Sequence, residues 1–143
     1  MGKVYRHEPG ASDEYLGRVE PENGKVHRHR QGPDEYVGRV DLDSGKVYHH
    51  RLGLDDYLGV VHLGNGKIYR HRVGPDEYVA EVKPNGRVYH HRPGAPDDYL
   101  GKVKDMHSLA EGGAAFFLLL LPVIEGEEIE ENAAGDEGDV IED

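Results

Sequence analysis

The side chains of this sequence best equipped for chemistry are its histidines, and they are not scattered. His7, His29, His50, His71 and His91 close a recurring segment, Gly-Lys-Val-Tyr-Arg-His and its variants, that begins at Gly2, Gly24, Gly45, Gly66 and Gly86. Neutral imidazole suits Zn or Ni, and a ring of five would also respond to pH, because crowded imidazoles resist charging together. His27 and His29 lie two apart, on one face of an extended strand, a spacing that can chelate. A metal site, however, needs three or four ligands within about 2 Å of one ion, which repetition alone does not arrange. The alternative is an imidazole copied along with its repeat, each ring stacking on a neighbouring Tyr or pairing with an Asp at the strand end. One position earlier, His49 and His90 replace the Arg6, Arg28 and Arg70 of the other units.

Other chemistry is poorly supplied. The chain has no Cys and only three Ser (Ser12, Ser44, Ser108), none in a Gly-x-Ser-x-Gly elbow, which removes disulfides, thiolate zinc sites and an obvious nucleophile. Adjacent carboxylates such as Asp13-Glu14 and Asp34-Glu35 recur, but neighbours on a strand point to opposite faces and cannot flank one bond together. No phosphate-binding Gly-rich loop is present, so no enzymatic activity is expected. Basic and aromatic residues interleave, as in Lys67-Ile68-Tyr69-Arg70-His71-Arg72, a pattern that can bind single-stranded nucleic acid. Each unit also carries Asp-Glu or Asp-Asp beside its Tyr, so salt bridging between neighbouring strands is the preferred reading and nucleic acid is not an expected partner.

These residues are positioned by a repeat. A second segment, Asp-Glu-Tyr-Leu-Gly-Arg-Val and its variants, starts at 13, 34, 55, 76 and 97, a strict step of 21 residues. Such a period means repeated supersecondary units. Both segments are short runs rich in Val, Tyr and Leu between turn residues such as Pro84-Asn85-Gly86, which predicts ten short antiparallel strands.

The phase of the repeat predicts its closure. The chain begins with a lone first segment and ends the repeats with a lone second segment, complementary halves of one hairpin. Pairing them would leave no exposed edge, whereas an open array of five hairpins would leave two. The expected fold class is therefore mainly all-β: a five-fold β-hairpin ring of about ten strands, closed by its first and last strands, with one C-terminal apolar helix packed in or on the ring. Eight strands leave an interior just filled by side chains, so ten need a filler. Residues 108–121 provide one, with a capping box at Ser108 and Glu111, an all-round apolar run, and a predicted stop at Pro122. Gly17, Gly38, Gly59 and Gly101, with Ala80 as the small substitute, are expected to admit the close approach of another backbone.

Three regions follow: the repeat at 1–104, the helix at 105–124, and an acidic tail at 125–143 expected to be disordered. The chain's net charge of -11 divides unevenly between them. Ten of its 28 acidic residues lie in the tail, which leaves the repeats and helix nearly neutral with all 17 Lys and Arg. The N-terminus has no apolar targeting segment, and the run Ala114–Ile124 is about half of what crosses a bilayer. A cytoplasmic protein with no membrane span, and with oligomerisation open, is the expectation.

The units Tyr-[Leu/Val]-Gly-[Arg/Lys]-Val and Asn/Ser-Gly-Lys-Val-Tyr, followed by Gly112-Gly113-Ala114-Ala115-Phe116-Phe117 and four Leu, resemble the bacterial β-hairpin repeat proteins described as β-flower proteins. The resemblance spans about residues 2–121 and implies hairpin petals in a ring with a terminal apolar helix; it implies no function. The Tyr-x-Gly step is also similar to membrane-occupation-and-recognition hairpins, which carry further Gly at spacings missing here. From the residues, the expected function is a non-enzymatic β-repeat scaffold binding a protein or small ligand. The alternative is a metal- or anion-binding ring at His7, His29, His50, His71 and His91, holding Zn or Ni, with pH-dependent behaviour.

Overall fold

The computed structural model describes residues 1–126 and is a closed ten-stranded antiparallel barrel around a central helix. The strands are β1 (Gly2–Arg6), β2 (Glu14–Val19), β3 (Lys25–Arg28), β4 (Glu35–Val40), β5 (Lys46–His49), β6 (Asp56–Val61), β7 (Lys67–Arg70), β8 (Glu77–Val82), β9 (Arg87–His90) and β10 (Asp98–Lys104). Each pairs with its sequence neighbours, and β1 pairs with β10 through Lys3↔Lys104, Val4↔Val103, Tyr5↔Lys102 and Arg6↔Gly101. Closure therefore satisfies the edge groups of both terminal strands.

The two ends of the barrel differ. At one end, tight turns join the second strand of each unit to the next first strand, and Gly24, Gly45, Gly66 and Gly86 take φ of 74–89° there. Each turn is fastened to the following hairpin by its own carbonyl: Val40 N donates to Gly24 O, Val61 N to Gly45 O and Val82 N to Gly66 O, all at 2.9 Å, and Val103 N to Gly86 O at 2.8 Å. A Cβ on any of these glycines would collide with the carbonyl of that same valine. At the other end, longer loops follow His7, His29, His50, His71 and His91.

The chain leaves β10 through Asp105, at φ 60°, and turns into the barrel. α1 (Leu109–Ala115) runs straight into a π-helical segment (Phe116–Leu120), and helical turns continue, so that one helix spans Leu109–Gly126. It enters at the turn end and leaves at the loop end. Glu111 Oε2 accepts from the backbone N–H of Ser108 at 3.0 Å and of His107 at 2.8 Å, the Glu half of the predicted capping box. By length and composition this helix could cross a membrane, but its apolar side chains face the barrel wall.

Wall and helix exchange bulk along the axis. Nearest the turn end the wall is a ring of Val19, Val40, Val61, Val82 and Val103, followed by Val4, Val26, Val47, Ile68 and Val88, and all ten are buried. The helix is thin there, with Ala110, Gly112, Gly113, Ala114 and Ala115; a Cβ on Gly113 would come within 2.5 Å of Val61 Cγ1. Further along, the wall thins to Gly17, Gly38, Gly59, Ala80 and Gly101, and the helix thickens to Phe116, Phe117, Leu118, Leu119 and Leu120. Bulk on the helix thus stands opposite small residues of the wall, and bulk on the wall opposite small residues of the helix.

The backbone that comes close to Gly17, Gly38, Gly59 and Gly101, as expected, is that of the neighbouring strand and not of the helix: the nearest atom to a Cβ there would be a carbonyl oxygen of that strand, with helix side chains such as Leu118 and Phe117 next for Gly38 and Gly59. The cause is a bulge: in the β1–β2 pairing, Val4 faces Gly17 but Tyr5 faces Tyr15, so Leu16 is an extra residue, and the same shift recurs in every unit. Contrary to expectation, the helix does not stop at Pro122. Proline lacks the N–H that Leu118 O would accept four residues back, and the π-helical turn before it, with Leu121 N bonded to Phe116 O, carries the helix through. The Leu118 carbonyl accepts instead from Arg28 Nη2 of the wall at 3.3 Å. The acidic tail expected at 125–143 begins in this helix and otherwise lies outside the described residues.

Candidate functional site

Strand alternation sorts the chemistry of each first segment. Val4, Val26, Val47, Ile68 and Val88 point into the lumen, so the residues two further on, Arg6, Arg28, His49, Arg70 and His90, point the same way and encircle the helix where it leaves. Cations at a helix C-terminal end complement its dipole. The intervening Tyr and the following His face outward.

The five outward histidines do not converge. Each Nδ1 faces an Asp of its own loop: His7 and Asp13 at 3.3 Å, His29 and Asp34, His50 and Asp55, and His71 and Asp76 at 3.5 Å, and His91 and Asp97 at 3.2 Å. Each ring also stacks on a Tyr of the preceding hairpin, Tyr99, Tyr15, Tyr36, Tyr57 and Tyr78 respectively, with centroids 4.3–5.1 Å apart. The proposed circle is thus five separate Tyr–His–Asp units that fasten one petal to the next. Among the described residues no three His, Asp or Glu side chains come together as a metal-ligand set. His27 and His29 share a face but divide their partners, His27 Nε2 bonding Glu20 at 2.9 Å. Asp34 also takes the Arg18 guanidinium, and Asp55 takes Arg39 at 3.3 Å.

The outer tyrosines behave as a half-buried belt. Tyr15, Tyr36, Tyr57 and Tyr78 hold their phenolic protons above the usual pKa of 10.0, first because burial disfavours the phenolate and then because carboxylates such as Asp34, Asp55, Asp76 and Glu81 stand nearby. For Tyr99 burial again raises it, with Arg87 pulling the other way. Cross-strand pairs Tyr5–Tyr15, Tyr48–Tyr57, Tyr69–Tyr78 and Tyr89–Tyr99 sit with ring centroids 5.4–5.6 Å apart, and His27 takes the equivalent place beside Tyr36.

The inner collar is not five-fold. Around part of it the helix fills the wall: Phe116 packs on His90, and Leu120 lies against Gly101. On the opposite side a pocket of about 300 Å³ opens between the wall and the departing helix. Arg28, His49 and Arg70 line it from three consecutive first strands, with Leu58 from the β6 bulge, and Phe117, Leu118, Leu121, Pro122 and Glu125 from the helix. Arg28 is held by the Leu118 carbonyl, and Arg70 Nη2 is 3.4 Å from Glu125 Oε2. The His49 side chain has no hydrogen bond or ion pair among the described residues. An apolar floor with a few convergent polar groups is the usual character of a small-ligand site.

The Arg-or-His position was visible in the sequence, and its inward direction follows from lying two residues after a buried Val. The recurring His one residue later lies on the outer face instead. Comparison with known protein families, with curated proteins and with solved structures finds no match to this chain.

Proposed function

We propose that this chain is a non-enzymatic β-repeat scaffold that binds its ligand or partner through the loop-end mouth of the ring. The supporting observation is the pocket lined by Arg28, His49 and Arg70, where the helix leaves the wall uncovered on that side of the mouth; a second hollow of about 250 Å³, lined by Leu16, Arg28, Leu119 and Val123, lies beside it. The loops β5–β6 and β7–β8, which follow His49 and Arg70, carry Leu52, Leu54 and Val73 almost fully exposed, so the same side of the rim offers apolar contact. On this reading the β-flower architecture supplies a rigid frame, and the departure from five-fold equivalence at the mouth supplies the site. Anion recognition moves from the outer histidines, each engaged with its own Asp, to the inner collar.

A fragment screen on the full chain, read by backbone amide shifts, tests this. Shifts are expected to cluster on Arg28, His49, Leu58, Arg70 and Leu121. Shifts gathered on the outer Tyr and His belt, or at the turn end, would overturn the assignment to the mouth.

A further inference from the structure

Resting on that reading of the mouth, we infer the class of ligand it takes: a small carboxylate with a short apolar body, its head group on Arg70 and His49 and its tail against Leu58, Phe117 and Leu121. The head-group chemistry is already enacted within the chain. The carboxylate of Glu125, one helical turn beyond Leu121, reaches back to Arg70 Nη2 at 3.4 Å, so the site holds a carboxylate of its own making at its rim. That pair is about half exposed on both sides, a weak and displaceable contact. Guanidinium groups favour planar carboxylates, which they can meet with two parallel hydrogen bonds.

Each of the other polar groups points to the same class. Arg28 is committed to the Leu118 carbonyl and stands 3.9 Å from Glu35, so it adds positive potential without being the head-group partner. The His49 side chain, with no hydrogen-bond or ion-pair partner among the described residues, lines the same pocket as Arg70 and offers it an N–H. The floor of Phe117, Leu118, Leu121 and Pro122 has nothing to satisfy a second polar group, so a ligand polar at both ends would leave one end unpaired. A volume of about 300 Å³ lies at the small end of ligand pockets and favours a compact acid over a nucleotide or a diacyl lipid. Glu125 then acts as an internal competitor that sets the affinity.

The test is titration of the full chain with octanoate, octanol and octylammonium, followed by calorimetry and amide shifts. Octanoate is expected to bind at the mouth about tenfold more tightly than octanol, since one charge-assisted contact separates them. Arg70→Met should erase that preference, and Glu125→Gln should raise octanoate affinity about threefold by removing the competitor. A thermal melt of each variant confirms that the barrel is intact. Equal binding of octanoate and octanol at the mouth, or preference for octylammonium, overturns the carboxylate assignment and leaves the mouth as the binding face. No shift at the mouth with any probe overturns the assignment too, and a fragment screen equally silent there takes the broader reading with it.

Discussion

The two ends of the barrel are built from the same five repeats and differ in how strictly they keep the repeat. At the turn end the carbonyl of each turn glycine is bonded to a valine of the next hairpin, and the four distances agree to 0.1 Å. There the helix is Ala and Gly apart from the buried Glu111, narrow enough for the two Val-rich rings of the wall to close on it. At the loop end the helix is broad, passes through a π-helical turn and a proline, and packs on the wall on one side, Phe116 against His90, while an open pocket lies on the other. Equivalence is enforced where every position carries a structural duty and relaxed where a side chain has room to do something else. In a symmetric repeat protein, the departure from symmetry is the place to look for function.

Removing what the ends share is the strongest way to break this comparison. A chain ending at Lys104 keeps all ten strands but lacks the plug, leaving ten buried Val and Ile residues around an empty lumen. Loss of the cooperative thermal transition is expected, and a well-folded ring by circular dichroism would show that the wall stands alone. Next in size is one kind of change made at both ends. Gly113→Val forces methyl groups onto Val61 and should cost about 3 kcal/mol, the upper part of the overpacking range. Leu58→Phe extends into the pocket and should change stability by less than about 1 kcal/mol. Urea midpoints decide it; equal losses would mean that the loop end is packed as tightly as the turn end.

A smaller effect isolates the passage through Pro122. Arg28→Met should lose about 1 kcal/mol by stranding the Leu118 carbonyl. In a Pro122→Ala background, where residue 122 regains its N–H, the same substitution should cost measurably less, so a double-mutant cycle with zero coupling would refute the compensation. The smallest effect concerns the outer belt, which both ends share. Because the folded state raises the pKa of Tyr15, Tyr36, Tyr57, Tyr78 and Tyr99, it binds their protons more tightly than the unfolded chain does. The corresponding stability is fully present below the unfolded value near 10 and is lost as pH rises through the higher folded values. The urea midpoint should therefore fall as pH rises past about 10, and Tyr78→Phe should lessen the slope.

Much of the architecture was legible because it rests on counting. A period of 21 residues, complementary terminal half-hairpins and an apolar run after the last strand lead to a closed ring with a filler, and the β1–β10 pairing has the predicted partners. What was not legible depends on where alternation fails. Read as a plain strand, Tyr15-Leu16-Gly17-Arg18-Val19 places Tyr15 with Val19 inside; the bulge at Leu16 turns Tyr15 out and buries Leu16 with Gly17. Pro122 read as a stop because its compensation comes from Arg28, 94 residues earlier in the chain. The histidines have the residue type for metal or proton chemistry, and their Asp and Tyr partners spend that chemistry on fastening petals. The pocket is a three-dimensional remainder of helix and wall, which no single segment encodes.

Closure by β1 and β10 also governs how this molecule can change over generations. In an open solenoid a unit can be duplicated or lost with little penalty, because each touches only its neighbours and stability grows by increments. Here the number of units sets the circumference, the circumference sets the bore, and the bore is matched to one helix that is thin at one end and thick at the other. A sixth hairpin would leave the helix loose, and four would leave it no room. Tandem duplication, the ordinary way such sequences lengthen, is therefore barred unless the plug is rebuilt at the same time, and variation is confined to loops, collar and mouth.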